Sequence, residues 1–135
     1  MINKDTKIYG SFSTNPGDTG CKYFNSKFKH HKMNAIYKSF KVHSLAEAMS
    51  GARALGFAGW AIAMPFKVSV MKYLHEIADD AKEIGAVNTV INDNGILCGY
   101  NTDWEGFWKA YKSFANYSDE LPIIAGTGGF SKAVQ

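Results

Sequence analysis

Short apolar runs of strand length alternate with segments of helical spacing along almost the whole chain, and this alternation restricts the fold more than any other feature. Residues 6–12 read as a first strand, broken by the loop signal Asn15-Pro16-Gly17-Asp18. From Lys22 to Lys32 the side chains of Tyr23, Phe24 and Phe28 recur near helical spacing. Residues 35–42 alternate and are rich in β-formers, which predicts a second strand. Ser44-Leu45-Ala46-Glu47 is a capping box, so a helix should start there and run to Leu55, with Gly56 as its stop. Residues 59–63 form a compact apolar run with the character of a buried strand. Pro65 suits the first turn of a helix, and two helical pieces are expected between residues 65 and 84. Residues 87–92 and 96–100 flank Asp93-Asn94-Gly95, a hairpin signal. Thr102-Asp103-Trp104-Glu105 is a second capping box, opening a helix to about Tyr117. Residues 123–125 read as a strand that runs directly into Gly126-Thr127-Gly128-Gly129.

This order predicts an α/β fold: a mostly parallel open sheet with one antiparallel strand, and helices on both faces. The polar stretch 116–122 is the expected boundary between a domain of residues 1–118 and the start of a second, residues 119–135. The chain has 135 residues, with 46% hydrophobic and 20% charged, in the range of an ordinary globular domain. No apolar run reaches the roughly 20 residues of a membrane helix. The first residues are polar, unlike a signal peptide, and the expected setting is cytoplasmic. Cys21 and Cys98 lie far apart and form no CxxC, so neither a disulfide framework nor a metal site is expected.

Charge is uneven: residues 1–60 carry nine Lys/Arg against three Asp/Glu, and residues 61–135 carry six against nine. The basic cluster Lys22, Lys27, Lys29, His30, His31 and Lys32 is read as a solvated helix face, because no nucleic-acid motif accompanies it. Neither a nucleic acid nor a membrane is expected as a partner.

Three segments carry chemistry. Met64-Pro65-Phe66-Lys67 follows a buried strand, which places Lys67 near a strand's carboxyl end, where open α/β sheets bind ligands. Read alone, Lys67 is better explained as a surface lysine in the first turn of a helix. In Ile84-Gly85-Ala86-Val87-Asn88-Thr89, Asn88 is a polar amide at the start of an apolar strand, and its hydrogen bonds must go to a ligand or to neighbouring backbone. In Gly99-Tyr100-Asn101-Thr102-Asp103, helix capping alone accounts for Thr102 and Asp103.

Taken together, MPFK, IGAVNT and GYNTD, followed by Gly106 and Phe107, resemble the shikimate dehydrogenase family in order and spacing. The resemblance covers nearly the whole chain. It implies a substrate-binding α/β domain followed by a Rossmann domain for NADP or NAD, and a small hydroxy acid (shikimate, quinate or a relative) as substrate. It implies Lys67 and Asp103 as the catalytic pair, with Asn88 and Asn101 contacting substrate hydroxyls. It also makes Gly126, Gly128 and Gly129 the phosphate-binding turn of the nucleotide domain, where glycine lets backbone N–H groups approach a pyrophosphate. No metal is implied.

Three departures from the family pattern are visible. The segment before the lysine, NVTxPFK in the family, here carries Ala61, Ile62, Ala63 and Met64. The family's Ser-x-Ser-Pro loop, which holds the substrate carboxylate, aligns with Asp18 and Gly20, leaving Ser11, Ser13 or Thr19 as substitutes. The sequence stops at Gln135, one turn into the first Rossmann helix, so this chain alone is expected not to turn over shikimate. The competing reading is a truncated domain that binds a small molecule without catalysis.

Overall fold

The computed structural model describes residues 2–114 and 123–134. In chain order they form β1 (Lys7–Ser13), α1 (Thr19–His30), β2 (Ala35–Lys41), α2 (Leu45–Ala54), β3 (Gly59–Ile62), a 3-10 turn (Ser69–Tyr73), β4 (Glu76–Ile77), α3 (Asp79–Ile84), β5 (Thr89–Asp93), β6 (Ile96–Tyr100), α4 (Asp103–Phe114) and α5 (Gly129–Val134). The strands make one sheet in the order β2-β1-β3-β5-β6-β4. β1 runs parallel to β2 and β3, and β4 parallel to β6; only β5 is reversed, antiparallel to both β3 and β6. This is the mostly parallel α/β sheet with one antiparallel strand that the alternation predicts.

Local signals set most of the boundaries. The Ser44 hydroxyl accepts from the Glu47 N–H, and Gly56 takes a left-handed φ of +68° just past the end of α2. Gly85 ends α3 in the same way. Asn94 and Gly95 both have positive φ, as a two-residue turn between twisted antiparallel strands requires.

Paired residues on neighbouring strands share a face, and the two faces are covered differently. Ile8, Phe12, Phe40, Trp60, Ile62, Val90 and Leu97 pack with Leu45, Met49 and Ala52 of α2 into one core, at i, i+4 and i+7 along that helix. On the opposite face α1 stacks Phe24 on Tyr37 at 4.6 Å and brings Phe28 to 5.4 Å from Tyr9. Its Asn25 side chain donates to the Tyr37 carbonyl and accepts from the Tyr37 N–H, which satisfies part of the open edge of β2. The basic residues of α1 and its C-terminal flank are all solvent-exposed. Both cysteines are free thiols. Among the described residues, no helix is long and apolar enough to cross a membrane.

Four local expectations are corrected. Pro65 does not open a helix: the Met64–Pro65 peptide is cis, and the segment turns through a Phe66 N–H to Ala63 carbonyl bond. The two expected helical pieces are the 3-10 turn and α3, but between them lies an unexpected short strand, β4, because the outer edge of β6 takes up this segment. The Leu97 carbonyl accepts from the His75 N–H, the Leu97 N–H donates to His75 Nδ1, and the Gly99 carbonyl accepts from the Ala78 N–H. Residues 123–127 are irregular and Ile123 is fully exposed, since a parallel strand there has no neighbour among the described residues to pair with. Finally, the Thr102 hydroxyl turns to Asn88 rather than closing a capping box with Glu105. The expected domain boundary, residues 116–122, lies outside the described residues.

Candidate functional site

The reversal of β5 gathers the chemistry-bearing residues at one end of the sheet. The carboxyl ends of β1, β3 and β6 lie at that end, and there β5 presents its amino end. Ser13 closes β1, Lys67 follows β3, Asn88 precedes β5, and Asn101 and Asp103 follow β6. Backbone bonds tie these ends together: the Ile62 N–H donates to the Asn88 carbonyl, the Asn88 N–H to the Tyr100 carbonyl, and the Val87 N–H to the Lys67 carbonyl.

Lys67 Nζ donates to Asp103 Oδ2 at 2.6 Å, and the two side chains are only 18% and 17% exposed. The other carboxylate oxygen, Oδ1, accepts from Asn88 Nδ2 at 2.8 Å. Asn88 also donates to Thr102 Oγ1, while its Oδ1 accepts from the Thr102 N–H, the Thr102 hydroxyl and the Thr89 hydroxyl. Both amide hydrogens of Asn88 are therefore engaged inside the protein. Asn101 is buried, 3% exposed; its Nδ2 donates to the Ala86 carbonyl and its Oδ1 accepts from the Asp103 N–H. The two asparagines expected to contact substrate both also hold Asp103, Asn88 on its carboxylate and Asn101 on its backbone. The hydroxyls of Thr89 and Thr102 belong to the same network. Their adjacency to Asn88 and Asp103 in sequence is the signal that would have found them.

The proposed substitutes for the carboxylate loop are placed unequally. The Ser11 hydroxyl donates to Ser39 Oγ at 3.1 Å, and Ser39 also meets the Cys21 thiol, so Ser11 belongs to a polar cluster under α1. Burial pushes the Tyr37 phenol of that cluster up from its ordinary pKa, against a smaller opposing effect of the nearby Ser11 hydroxyl. Ser13 is buried at the carboxyl end of β1. Asp18 is exposed at the N-cap of α1, with no side-chain cap bond. Gly20 packs on Tyr37: an added Cβ would lie 3.1 Å from its ring. Ala61 pairs with Ser11 on one side and Thr89 on the other, so a methyl occupies the middle of a hydroxyl-bearing row.

In the glycine-rich turn, Gly126 has a φ of +122°, and a Cβ on Gly126 or Gly128 would meet nothing within 4 Å. Gly129 differs, because its Cβ would fall 2.7 Å from Lys67 Cβ. A groove of about 390 Å³ between α4 and this turn is lined by Phe107, Ile124, Phe130 and Val134. Among the described residues, no group of three or more His, Cys, Asp or Glu side chains could hold a metal.

Residues 19–90 match the family model for the shikimate dehydrogenase substrate binding domain. The chain belongs to this family. Lys67 and Asn88 fall inside the matched segment, while Asp103 joins them through the fold. A shikimate dehydrogenase-like protein of Haemophilus influenzae is 40% identical over 134 residues, covering 99% of this chain and 49% of the relative. A shikimate dehydrogenase solved in complex with NADP+ superposes with a TM-score of 0.88 at 36% identity, covering 99% of this chain and 48% of that one. A shikimate 5-dehydrogenase of Listeria monocytogenes, solved with shikimate and NAD, gives 0.83 at 30% identity, with 98% and 47% covered. The chain spans about half the length of the relatives it matches.

Proposed function

We propose that this chain is the substrate-binding portion of a shikimate dehydrogenase-like oxidoreductase, interconverting 3-dehydroshikimate and shikimate, or a related hydroxy acid such as quinate, with NADP or NAD in the cytoplasm. The observation that carries the reading is the braced Lys67–Asp103 pair at the ligand-binding end of the sheet. Oxidising a secondary alcohol requires the hydroxyl proton to leave as hydride departs from the carbon. Lys67 is the group that takes that proton, and in the reverse direction its ammonium donates to the developing alkoxide. Asp103 holds the amine on one side, so that the proton is passed at a defined position. Asn88 and Asn101 keep Asp103 in place, the role their hydrogen bonds support.

The nucleotide fits the turn at one end: positive φ at Gly126 and open space at Gly126 and Gly128 suit backbone N–H groups facing a pyrophosphate. Bound, it supplies the hydride acceptor. The carboxylate side of the substrate is weaker. Asp18 and Gly20 offer no hydroxyl, Ser11 is engaged, and Ser13 or Thr19 is left to serve. Two lost charge-assisted hydrogen bonds would weaken shikimate binding by about 3–6 kcal/mol relative to a site with both serines.

Calorimetric titration of the chain with shikimate and with quinate tests the proposal. Saturable binding, lowered at least about tenfold by Lys67→Met, is expected from the loss of one charge-assisted hydrogen bond. Binding that Lys67→Met leaves unchanged, or no saturable binding of either acid up to its solubility limit, would overturn it.

A further inference from the structure

Lys67 has a second neighbour that the pairing with Asp103 does not explain. Its Nζ stands 5.7 Å from the centroid of the Phe130 ring, within the range of a cation–π contact. Phe130 sits one residue after Gly129, in the first turn of α5, and the missing side chain of Gly129 lets this turn close onto Lys67. Gly129 therefore packs against the aliphatic stem of the lysine, and Phe130 against its charged end. The Phe130 ring is held on another side by Phe107 of α4, edge-on at 6.3 Å, yet it remains 50% exposed. Its placement toward the ammonium gives it an electrostatic use.

We propose that Phe130 is a positioning residue for Lys67, seating the ammonium against Asp103, and that Gly129 is the opening that allows it. This rests on the reading of Lys67 as the proton-handling group. Lys67 is then held from three directions: by the Asp103 carboxylate through a hydrogen bond, by the Phe130 ring face through its quadrupole, and by the backbone of Gly129 along its methylenes. Because Gly129 and Phe130 belong to the glycine-rich turn, any ligand that shifts this turn also shifts the seat of Lys67. The turn and the lysine are thereby joined through these two contacts, with no relay between them.

Competitive acylation of the 135-residue chain, read by peptide mass spectrometry, tests the seat directly. The rate at Lys67, relative to the exposed Lys22, reports how firmly the amine is held between Asp103 and the ring. Phe130→Leu should raise the relative rate at Lys67 about 2- to 5-fold, the factor equivalent to an ordinary cation–π contact. Pentafluorophenylalanine at position 130 keeps the ring's shape and inverts its quadrupole, and should give the same rise. Phe130→Tyr should leave the rate near that of the parent. A fluorinated ring that protects Lys67 as well as phenylalanine does would overturn the proposal, since simple coverage would then suffice. So would an unchanged rate in Phe130→Leu. Shikimate added to the parent separates this from the functional reading: lack of protection by shikimate, with the Phe130 effect intact, would count against the substrate and leave the seat standing.

Discussion

Replacing Asn88 by Ala separates a bracket from a substrate contact. The side chain makes five hydrogen bonds, to Asp103, Thr102 and Thr89. The three that involve the Thr102 and Thr89 hydroxyls are readily replaced by water at this partly open site. The bond to the Asp103 carboxylate is charge-assisted and worth about 1.5–3 kcal/mol, and the one from the Thr102 N–H about 0.5–1.5 kcal/mol. Asn88→Ala should therefore destabilise the chain by about 2–4 kcal/mol with no ligand present. Asn88→Asp should be worse, because it removes both donors and sets a carboxylate against Asp103. Urea unfolding followed by tryptophan fluorescence measures both. A loss below about 0.5 kcal/mol for Asn88→Ala, the ordinary range of a surface substitution, would refute the bracket and return Asn88 to the role of a plain ligand contact.

Other positions give sharp expectations. Gly59→Ala places a Cβ 2.9 Å from the Val90 carbonyl across the β3–β5 pair and should cost about 1–3 kcal/mol, visible as a lower urea midpoint. Gly20→Ser crowds the Tyr37 ring and should destabilise by about 1 kcal/mol or more, whereas Asp18→Ser at the exposed cap should stay within about 0.5 kcal/mol; equal effects in thermal melts would contradict the packing. Burial, aided by the Glu76 carboxylate, pushes the Cys98 thiol up, so less thiolate is present at pH 8. Glu76→Gln should speed alkylation of Cys98, and an unchanged or slower rate in a stopped alkylation series would reverse the argument.

What was legible in the sequence was local. Ser44, Gly56, Gly85 and the Asn94-Gly95 turn act within a few residues of themselves, and each appears where its chemistry puts it. The placement of Lys67 near a strand end was legible from the order of strands, and its pairing with Asp103 from the resemblance of the motifs to the family. What depended on partners distant in sequence was not. Strand β4 exists because the open edge of β6 accepts bonds from residues 75–78, and nothing in those residues alone announces it. The Thr102 hydroxyl had two good partners, and the fold brought Asn88 to it. The Phe130 seat depends on a backbone approach at Gly129 that no spacing rule encodes.

The central claim is that a hydroxy acid binds where Lys67, Asn88 and Asp103 meet. A second groove, of about 560 Å³, lies away from these residues and is lined by Thr6, Lys29, Lys32 and Asn34, and its basic side chains could attract a carboxylate on charge alone. Nitrogen-15 chemical-shift mapping during titration with shikimate, beside cyclohexene carboxylate lacking the hydroxyls, distinguishes the two. The account predicts saturable shifts at Lys67, Asn88, Thr102 and Asp103 with shikimate and much smaller ones with the analogue. Shifts confined to residues 29–35, equal for both acids, would contradict it.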